Sequence, residues 1–549
     1  MNHALRYLLG GLTLILIGLI IGFQLKGNMR GMSGAPVAEG VGKLEDALFF
    51  IEDNYVEQPD HAQLVENAIK GMLDGLDPHS FYIPASEMQV MEEQLEGGFD
   101  GIGVQFNIVD DTIYVEMPLP GGPSIELGIQ SGDRIIEVDG DPVAGIGISN
   151  EDVLKKLKGE KGSEVKLTIL RRGYKDLLQF TVIRDRIPIY SIEYSYLIDE
   201  TTGYIKITRF AENTYQEFRE ALLDLKEQGM QNLVLDLRGN PGGYMNIANK
   251  IADEFLRSGE LIVSTIGRTA SSKQEYFATS SIGAFEHGPL IILIDYNSAS
   301  ASEIVAGAVQ DHDRGLIVGV RSFGKGLVQI PKKFDDNSAM RLVISKYYTP
   351  SGRCIQKPYD QGEEAYDAEI QHRFESGEIF DESKVEFPDS LTFKTTSGRK
   401  VYGGGGIYPD AFVAYDTTGN SKYFTDLRIN DLFRLFSFDY VDKRPDLVNR
   451  YPTPEAFVKQ FVMTPEVVNA FTRFAAQKGV PFVQADYQAS RFYIDNRVKA
   501  FIGRHLFNND DAFYPVLLQT DNQLSEALHL IPVAAELEGS GKLNLALKE

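Results

Sequence analysis

The chain has 549 residues, with 54 Lys and Arg against 78 Asp and Glu, and a formal net charge of −24. That balance excludes an extended nucleic-acid surface and sets the body against acidic membrane faces. The single Cys354 excludes an internal disulfide framework, and no CxxC pair or HExxH motif offers a zinc site, so neither metal nor cofactor is expected.

Length alone points to about three or four domains. Between Arg6 and Lys26 the run YLLGGLTLILIGLIIGFQL carries no charge and is near the ~20 residues that span a bilayer. The rival is a cleaved signal peptide, but Pro36 after Ser33-Gly34-Ala35 makes a poor cut site. Residues 1–30 are therefore read as an uncleaved, single-pass membrane anchor. Lys26 and Arg30 after the run against Arg6 before it leave orientation open by the positive-inside rule. Residues 31–96 are a helical segment after a Gly/Met-rich tether, with amphipathic spacing at Leu44, Leu48, Phe49 and Ile51, then Leu64, Ile69 and Met72. His79 follows Asp77-Pro78 and reads as a turn residue.

From Gly203 onward strands and helices alternate, which implies an α/β core with at least one mixed sheet. Leu233–Leu237 is a buried strand that runs into Arg238-Gly239-Asn240-Pro241-Gly242-Gly243, where glycines let a backbone N–H approach another group closely. Asp236 and Arg238 read as an ion pair bracing that loop. Leu290–Ile294 is a second buried strand, followed by a turn with Ser298, Ser300 and Ser302, a helix from Glu303 to Gln310, a strand Leu316–Val320, and glycine-flanked Lys325. A hydroxyl at the mouth of that helix sits among unpaired amides that stabilise developing negative charge. A lysine returning from the next strand can serve as its base if its neutral form is accessible. No GxGxxG or GxxxxGK[ST] follows a strand, so a nucleotide-binding fold is excluded. Gln361–Glu386 is acidic and reads as a surface excursion, and Gly403–Gly406 as a flexible turn. Residues 417–549 form a helical C-terminal extension, with Thr453-Pro454-Glu455 and Thr464-Pro465-Glu466 as helix starts, and His505 and His529 packing between helices.

Several of these stretches carry a resemblance in one consistent order. SASASEIVAGAVQD, FGKGLVQ, DLRGNPGG, IKGMLDGLDPHSFYIP, YYTPSGRCIQKPYD and GRKVYGGGGIYPDAFV resemble the carboxyl-terminal processing (tail-specific) proteases, serine peptidases with a Ser-Lys dyad. GFDGIGVQF with LGIQSGDRIIEVDG resembles their PDZ domain, placed at 97–184. The resemblance covers about residues 40–415, and the tail is similar to long members from Bacteroidetes-type bacteria.

The resemblance implies a crotonase-like mixed α/β protease core at 185–416 with the β-rich PDZ domain inserted before it. The family spacing of 25 residues selects Ser300 as nucleophile and Lys325 as general base, with Gln329 orienting the base. It implies an oxyanion hole from the Ala301 amide with Gly242 or Gly243, and leaves the two glycines open. Asp311 falls where some members have an acidic residue of uncertain role. In the PDZ domain, Gly101 and Gly103 would surround a substrate's terminal carboxylate with N–H groups, while Ile102 and Val104 line an apolar side-chain pocket. Lys158 stands where the family carries an arginine that couples the PDZ domain to the active site. Lysine keeps the charge and loses the bidentate fork.

The implied protein is a serine endopeptidase of the inner membrane with a periplasmic body. It would act on proteins with a free, apolar C-terminus, as a homodimer and with an activating adaptor. Two rival classes are an inactive PDZ scaffold and a crotonase-like acyl-CoA enzyme.

Overall fold

Runs of β-branched and aliphatic residues build a six-stranded sheet in the order Ile192–Leu197, Thr202–Ile207, Asn232–Asp236, Leu290–Ile294, Leu316–Gly319, Ala411–Phe412. The first pair is antiparallel and the remaining neighbours are parallel. Every residue of Leu290–Ile294 is buried, as expected of a strand covered on both faces. On one face Ile205, Leu235 and Ile292 pack with Phe218, Leu222, Ile251 and Val305 of the helices Thr214–Glu227, Met245–Asp253 and Ala301–Asp311. On the other, Val234, Ile291 and Val318 pack with Leu524, Ala527 and Val533. Those residues come from the helices Asn522–His529 and Ile531–Ser540, so the end of the C-terminal extension supplies half of the core's cover.

The computed structural model describes residues 34–279, 283–385, 389–540 and 543. The chain divides into two compact units, residues 1–77 and 78–549. In the first, the described helices are Gly34–Asn54 and His61–Asp74, the latter capped by the Asp60 carboxylate accepting from the Gln63 N–H. All other elements belong to the second.

An antiparallel sheet holds Phe81–Ile83, Ala339–Tyr348, Leu261–Gly267 and Gln274–Phe277, with Leu327–Lys333 also paired to Ala339–Tyr348. The PDZ domain is a sheet of Val104–Val109, Thr112–Pro118, Arg134–Val138, Glu164–Leu170 and Leu178–Ile183, with helix Asn150–Leu157. The chain enters and leaves it through a ribbon, Gly98–Gly101 against Asp185–Pro188. The extension forms its own aromatic core from Phe433, Phe436, Phe457 and Phe471. Thr453 and Thr464 cap its helices by accepting from the Ala456 and Val467 amides, as their spacing predicts. This is the mixed α/β core with PDZ domain and helical extension that the sequence implies.

Three expectations need correction. The expected single-pass, inner-membrane protein with a periplasmic body is overturned: among the described residues no helix is long and apolar enough to cross a membrane. The long helix Gly34–Asn54 carries Glu39, Lys43, Glu45, Asp46, Glu52 and Asp53, charges that a bilayer interior does not accommodate. The stretch 1–30 that prompted the expectation lies outside the described residues. Within Gln361–Glu386 lies the helix Glu363–Ser376, with Tyr366 and Arg373 buried, so this is no mere surface excursion. His529 is 77% exposed, 4.0 Å from Glu526 of its own helix, whereas His505 is buried, edge-on to Phe438 at 4.6 Å and 2.9 Å from the Ser131 hydroxyl of the PDZ domain.

Candidate active site

Three serines share the turn before helix Ala301–Asp311, and the fold treats them differently. Ser298 Oγ donates to Leu237 O at 2.8 Å and Ser302 Oγ to Asn240 O at 3.0 Å; both are fully buried tethers to the glycine-rich loop. Ser300 instead lines a cavity of about 410 Å³ together with Lys325, Gln329, Gly243 and Tyr347. Its backbone is at φ 55° and ψ −110°, a conformation that costs a non-glycine residue on the order of 1–3 kcal/mol and persists only where neighbours impose it.

Those neighbours are Glu303 and Tyr347. Glu303 is 1% exposed, one turn into the helix. Its Oε2 accepts the Ser300 N–H at 2.8 Å and the Lys325 N–H at 2.9 Å. Its Oε1 accepts the Gly324 N–H at 2.7 Å and the Ser322 hydroxyl at 2.5 Å. Burial pushes this carboxyl above its ordinary range, against the pull of its donors. The buried Tyr347 hydroxyl lies 2.9 Å from Ser300 O and 2.5 Å from Lys325 O. One carboxylate and one phenol thus fix the backbones of residues 300 and 325 from both sides. Sequence reasoning missed both groups. The Ser-x-x-Glu spacing of Ser300 and Glu303 is a readable capping-box signal; no local signal marks Tyr347, which comes from a distant strand.

The loop that carries Lys325, between the strands Leu316–Gly319 and Leu327–Lys333, is also held from outside. Arg373 donates to Ser322 O at 2.8 Å and Phe323 O at 3.2 Å. The Gly403–Gly406 run is expected as a flexible turn, but its Gly405 and Gly406 lie against the backbone of this loop: a Cβ on Gly406 (φ 99°) would meet Ser322 O at 2.6 Å. Close approach, rather than flexibility, accounts for those glycines.

The glycine-rich loop is stapled to the serine turn by the Ala299 N–H donating to Asn240 O at 3.0 Å and the Gly239 N–H to Asp295 at 2.9 Å. The Gly242 N–H donates to Asn240 Oδ1 at 2.9 Å, while the amides of Gly243 and Ala301 donate no hydrogen bond among the described residues. Gly243 lines the cavity and Gly242 packs beneath it, where a Cβ would meet Ser300 Cβ at 2.8 Å. Asp236 is fully buried against Arg238 at 2.6 Å, as the sequence suggests, and Arg238 is gripped again by Asp521 at 2.6 Å and Gln523 at 3.0 Å from the extension. Burial pushes the Asp236 carboxyl up, but Arg238 and then Lys206 outweigh it and hold the group below the usual carboxylate range.

Gln329 lines the cavity, and its side-chain amide donates to His79 O. His79 sits in a turn with its Nε2 2.7 Å from the Tyr366 hydroxyl. Asp311 is fully buried in an ion pair with Arg353 at 2.8 Å. Among the described residues no group of His, Cys, Asp and Glu is arranged to hold a metal ion.

In the PDZ domain Val104–Val109 is an edge strand, paired to Thr112–Pro118 on one side. Ile102 O accepts from Ser124 Oγ at 2.6 Å, and Gly103 (φ 73°) O accepts from the Leu119 N–H at 2.9 Å. The amides of Ile102 and Gly103 donate no bond among the described residues. Ile102 is 2% exposed and packs into the domain core, and Val104 is half-buried. Gly101 ends the entry ribbon opposite Asp185. Lys158 Nζ lies 2.5 Å from Glu93 on helix Ala85–Glu96 and 5.0 Å above the Phe99 ring. Met88, Met91 and Leu95 of that same helix line the Ser300 cavity.

Residues 201–362 match peptidase family S41, 89–170 a PDZ domain, 25–86 the N-terminal domain of the activating protease CtpB, and 423–508 a family of unknown function. Over 311 residues the sequence is 38% identical to a carboxy-terminal-processing protease of Bartonella bacilliformis, covering 56% of this chain and 70% of that protein. The chain belongs to the carboxy-terminal-processing serine proteases of peptidase family S41. A further relative is carboxy-terminal processing protease CtpB of Bacillus subtilis, 35% identical over 318 residues, 57% of this chain and 65% of that one. For this S41 peptidase the cavity shared by Ser300 and Lys325 is the candidate active site.

Proposed function

We propose that the chain is an endopeptidase in which Ser300 attacks a peptide carbonyl and Lys325 takes the hydroxyl proton, with 97–184 as its PDZ domain and 185–416 as the main part of its protease core. The observation that carries this reading is the sorting of the serine turn: Ser298 and Ser302 are consumed as tethers, while Ser300 lines the cavity with Lys325. The tetrahedral oxyanion is received by the Ala301 and Gly243 amides, since the Gly242 amide is already given to Asn240. Lys325 then passes the proton to the leaving amine, and water releases the acyl-enzyme. Gln329 holds Lys325 in line for both transfers.

The substrate's C-terminal segment adds a strand to the open edge Val104–Val109, with its carboxylate at the Ile102 and Gly103 amides and an apolar last side chain beside Val104. Lys158, through Glu93, ties that event to the helix whose other residues wall the active site.

The test uses an unfolded protein with an apolar C-terminus, cut by wild type, Ser300→Ala and Lys325→Ala, and again with the tail ending in Asp. Loss of cleavage by at least a thousandfold in both variants is expected from removing nucleophile or base, with slower cutting of the Asp-tailed protein. Cleavage surviving in Ser300→Ala would refute the assignment.

A further inference from the structure

The two carboxylates that line the cavity around Ser300 are both paired. Glu92 pairs with Lys333, and Glu96 with Arg186 at 3.1 Å. Arg341 lines the same cavity, half-buried on the central strand Ala339–Tyr348, and its side chain makes no hydrogen bond or ion pair with any described residue. Its cross-strand neighbours, Phe81 and Pro331, offer its side chain no acceptor. Burial lowers its pKa, with the Tyr244 phenol opposing. Two of the most deeply buried arginines elsewhere are bound: Arg314 donates to Phe255 O, Gly288 O and Phe285 O, and Arg373 to Glu369 and the carbonyls of Arg321, Ser322 and Phe323, while the half-buried Arg497 lies over the Phe424 and Phe433 rings. A half-buried guanidinium that supports nothing structural carries a desolvation cost with no internal return. Its fork of donors matches a carboxylate, which it can hold bidentately.

We propose that Arg341 recognises a carboxylate on the substrate within a few residues of the scissile bond. This rests on the reading of Ser300 as nucleophile, and it adds to the tail recognition assigned to the PDZ domain a second selection at the cut itself. Met88, Met91, Leu95 and Leu327 form apolar wall around it, so the favoured segment has one acidic group among apolar side chains. That group is either an Asp or Glu side chain or the α-carboxylate of a chain ending just past the cut; both present the same two oxygens.

The experiment measures kcat/KM for quenched-fluorescent peptides with an apolar parent sequence, C-terminally amidated and tethered far from the cut. Glu and Gln are exchanged at each position flanking the scissile bond. A second arm compares free and amidated C-termini one to three residues beyond the cut. Wild type is expected to favour the carboxylate in one arm by about tenfold or more, the usual yield of a charge-assisted hydrogen bond over a neutral one, and the arm that responds identifies the source. Arg341→Glu is expected to invert the ratio toward Lys over Gln at the same position, an outcome that partial unfolding cannot produce. A wild-type Glu/Gln and free/amidated ratio near one at every position overturns the proposal, as does a preference that persists in Arg341→Glu. Peptide cutting that survives Ser300→Ala overturns the reading beneath it instead.

Discussion

Glu303→Ala is expected to abolish peptidase activity and to cost on the order of 4 kcal/mol or more of stability. The reasoning is a count of orphaned donors. The carboxylate accepts the amides of Ser300, Gly324 and Lys325 and the Ser322 hydroxyl; Ser322 and Gly324 are buried, Ser300 and Lys325 half-buried. Each buried donor left without an acceptor costs about 1–3 kcal/mol, and alanine also leaves a void. Activity suffers separately, because Ser300 is held in a strained conformation that relaxes when its amide is released.

Glu303→Gln separates the two effects. The amide keeps the shape but can accept at one oxygen only; its NH₂ must face one pair of donors. Facing the Oε1 side, it meets Ser322, whose hydroxyl can turn and accept, and the Gly324 N–H, which cannot. One repulsive contact therefore remains, so a smaller stability loss of about 1–3 kcal/mol is expected, with kcat falling more than KM rises. Urea denaturation and steady-state kinetics on both variants check this. Wild-type kcat in a folded Glu303→Gln would mean that the carboxylate does not position residues 300 and 325.

The contrast with the serines shows what could be read from the sequence. Strand, turn, helix and lysine loop are local patterns, and local periodicity placed them. Choosing Ser300 among three hydroxyls took family spacing, because the tethers that consume Ser298 and Ser302 end on Leu237 and Asn240, some 60 residues away in the chain. Glu303, three residues after Ser300, carries a local capping-box signal. Tyr347, Arg373 and Arg341 were not legible: each matters through a contact across sheets or loops that leaves no periodic mark. The same holds for Asn522–His529 and Ile531–Ser540, whose apolar stripes declare amphipathic helices but not that their partner is the catalytic sheet.

That last dependence meets the glycine-rich loop at Arg238, and Arg238→Met is expected to destabilise the protein by about 3–5 kcal/mol at neutral pH, the range for removing one partner of a buried pair. Asp236 has no exposed surface, and without Arg238 it keeps the Tyr204 hydroxyl at 2.8 Å and Lys206 at 3.7 Å as partners. Asp521 and Gln523 lose their shared ligand as well, which loosens the extension from the loop that carries Gly243. The pH dependence gives the claim its sign. In wild type the Asp236 carboxyl lies below its ordinary range because Arg238 and Lys206 outweigh burial. Its stabilising contribution is then present above the unfolded value of about 3.9 and is lost as pH falls toward the folded value. In Arg238→Met the largest opposing charge is gone and burial raises the group, so protonation relieves the variant while it penalises wild type. The stability gap between the two should therefore narrow between pH 7 and pH 4, and Asp236→Asn in the Arg238→Met background should recover part of the loss at pH 7. A gap that stays constant with pH would show that the buried charge is not what Arg238 neutralises, and the loop would then owe its position to the Asn240 and Asp295 hydrogen bonds alone.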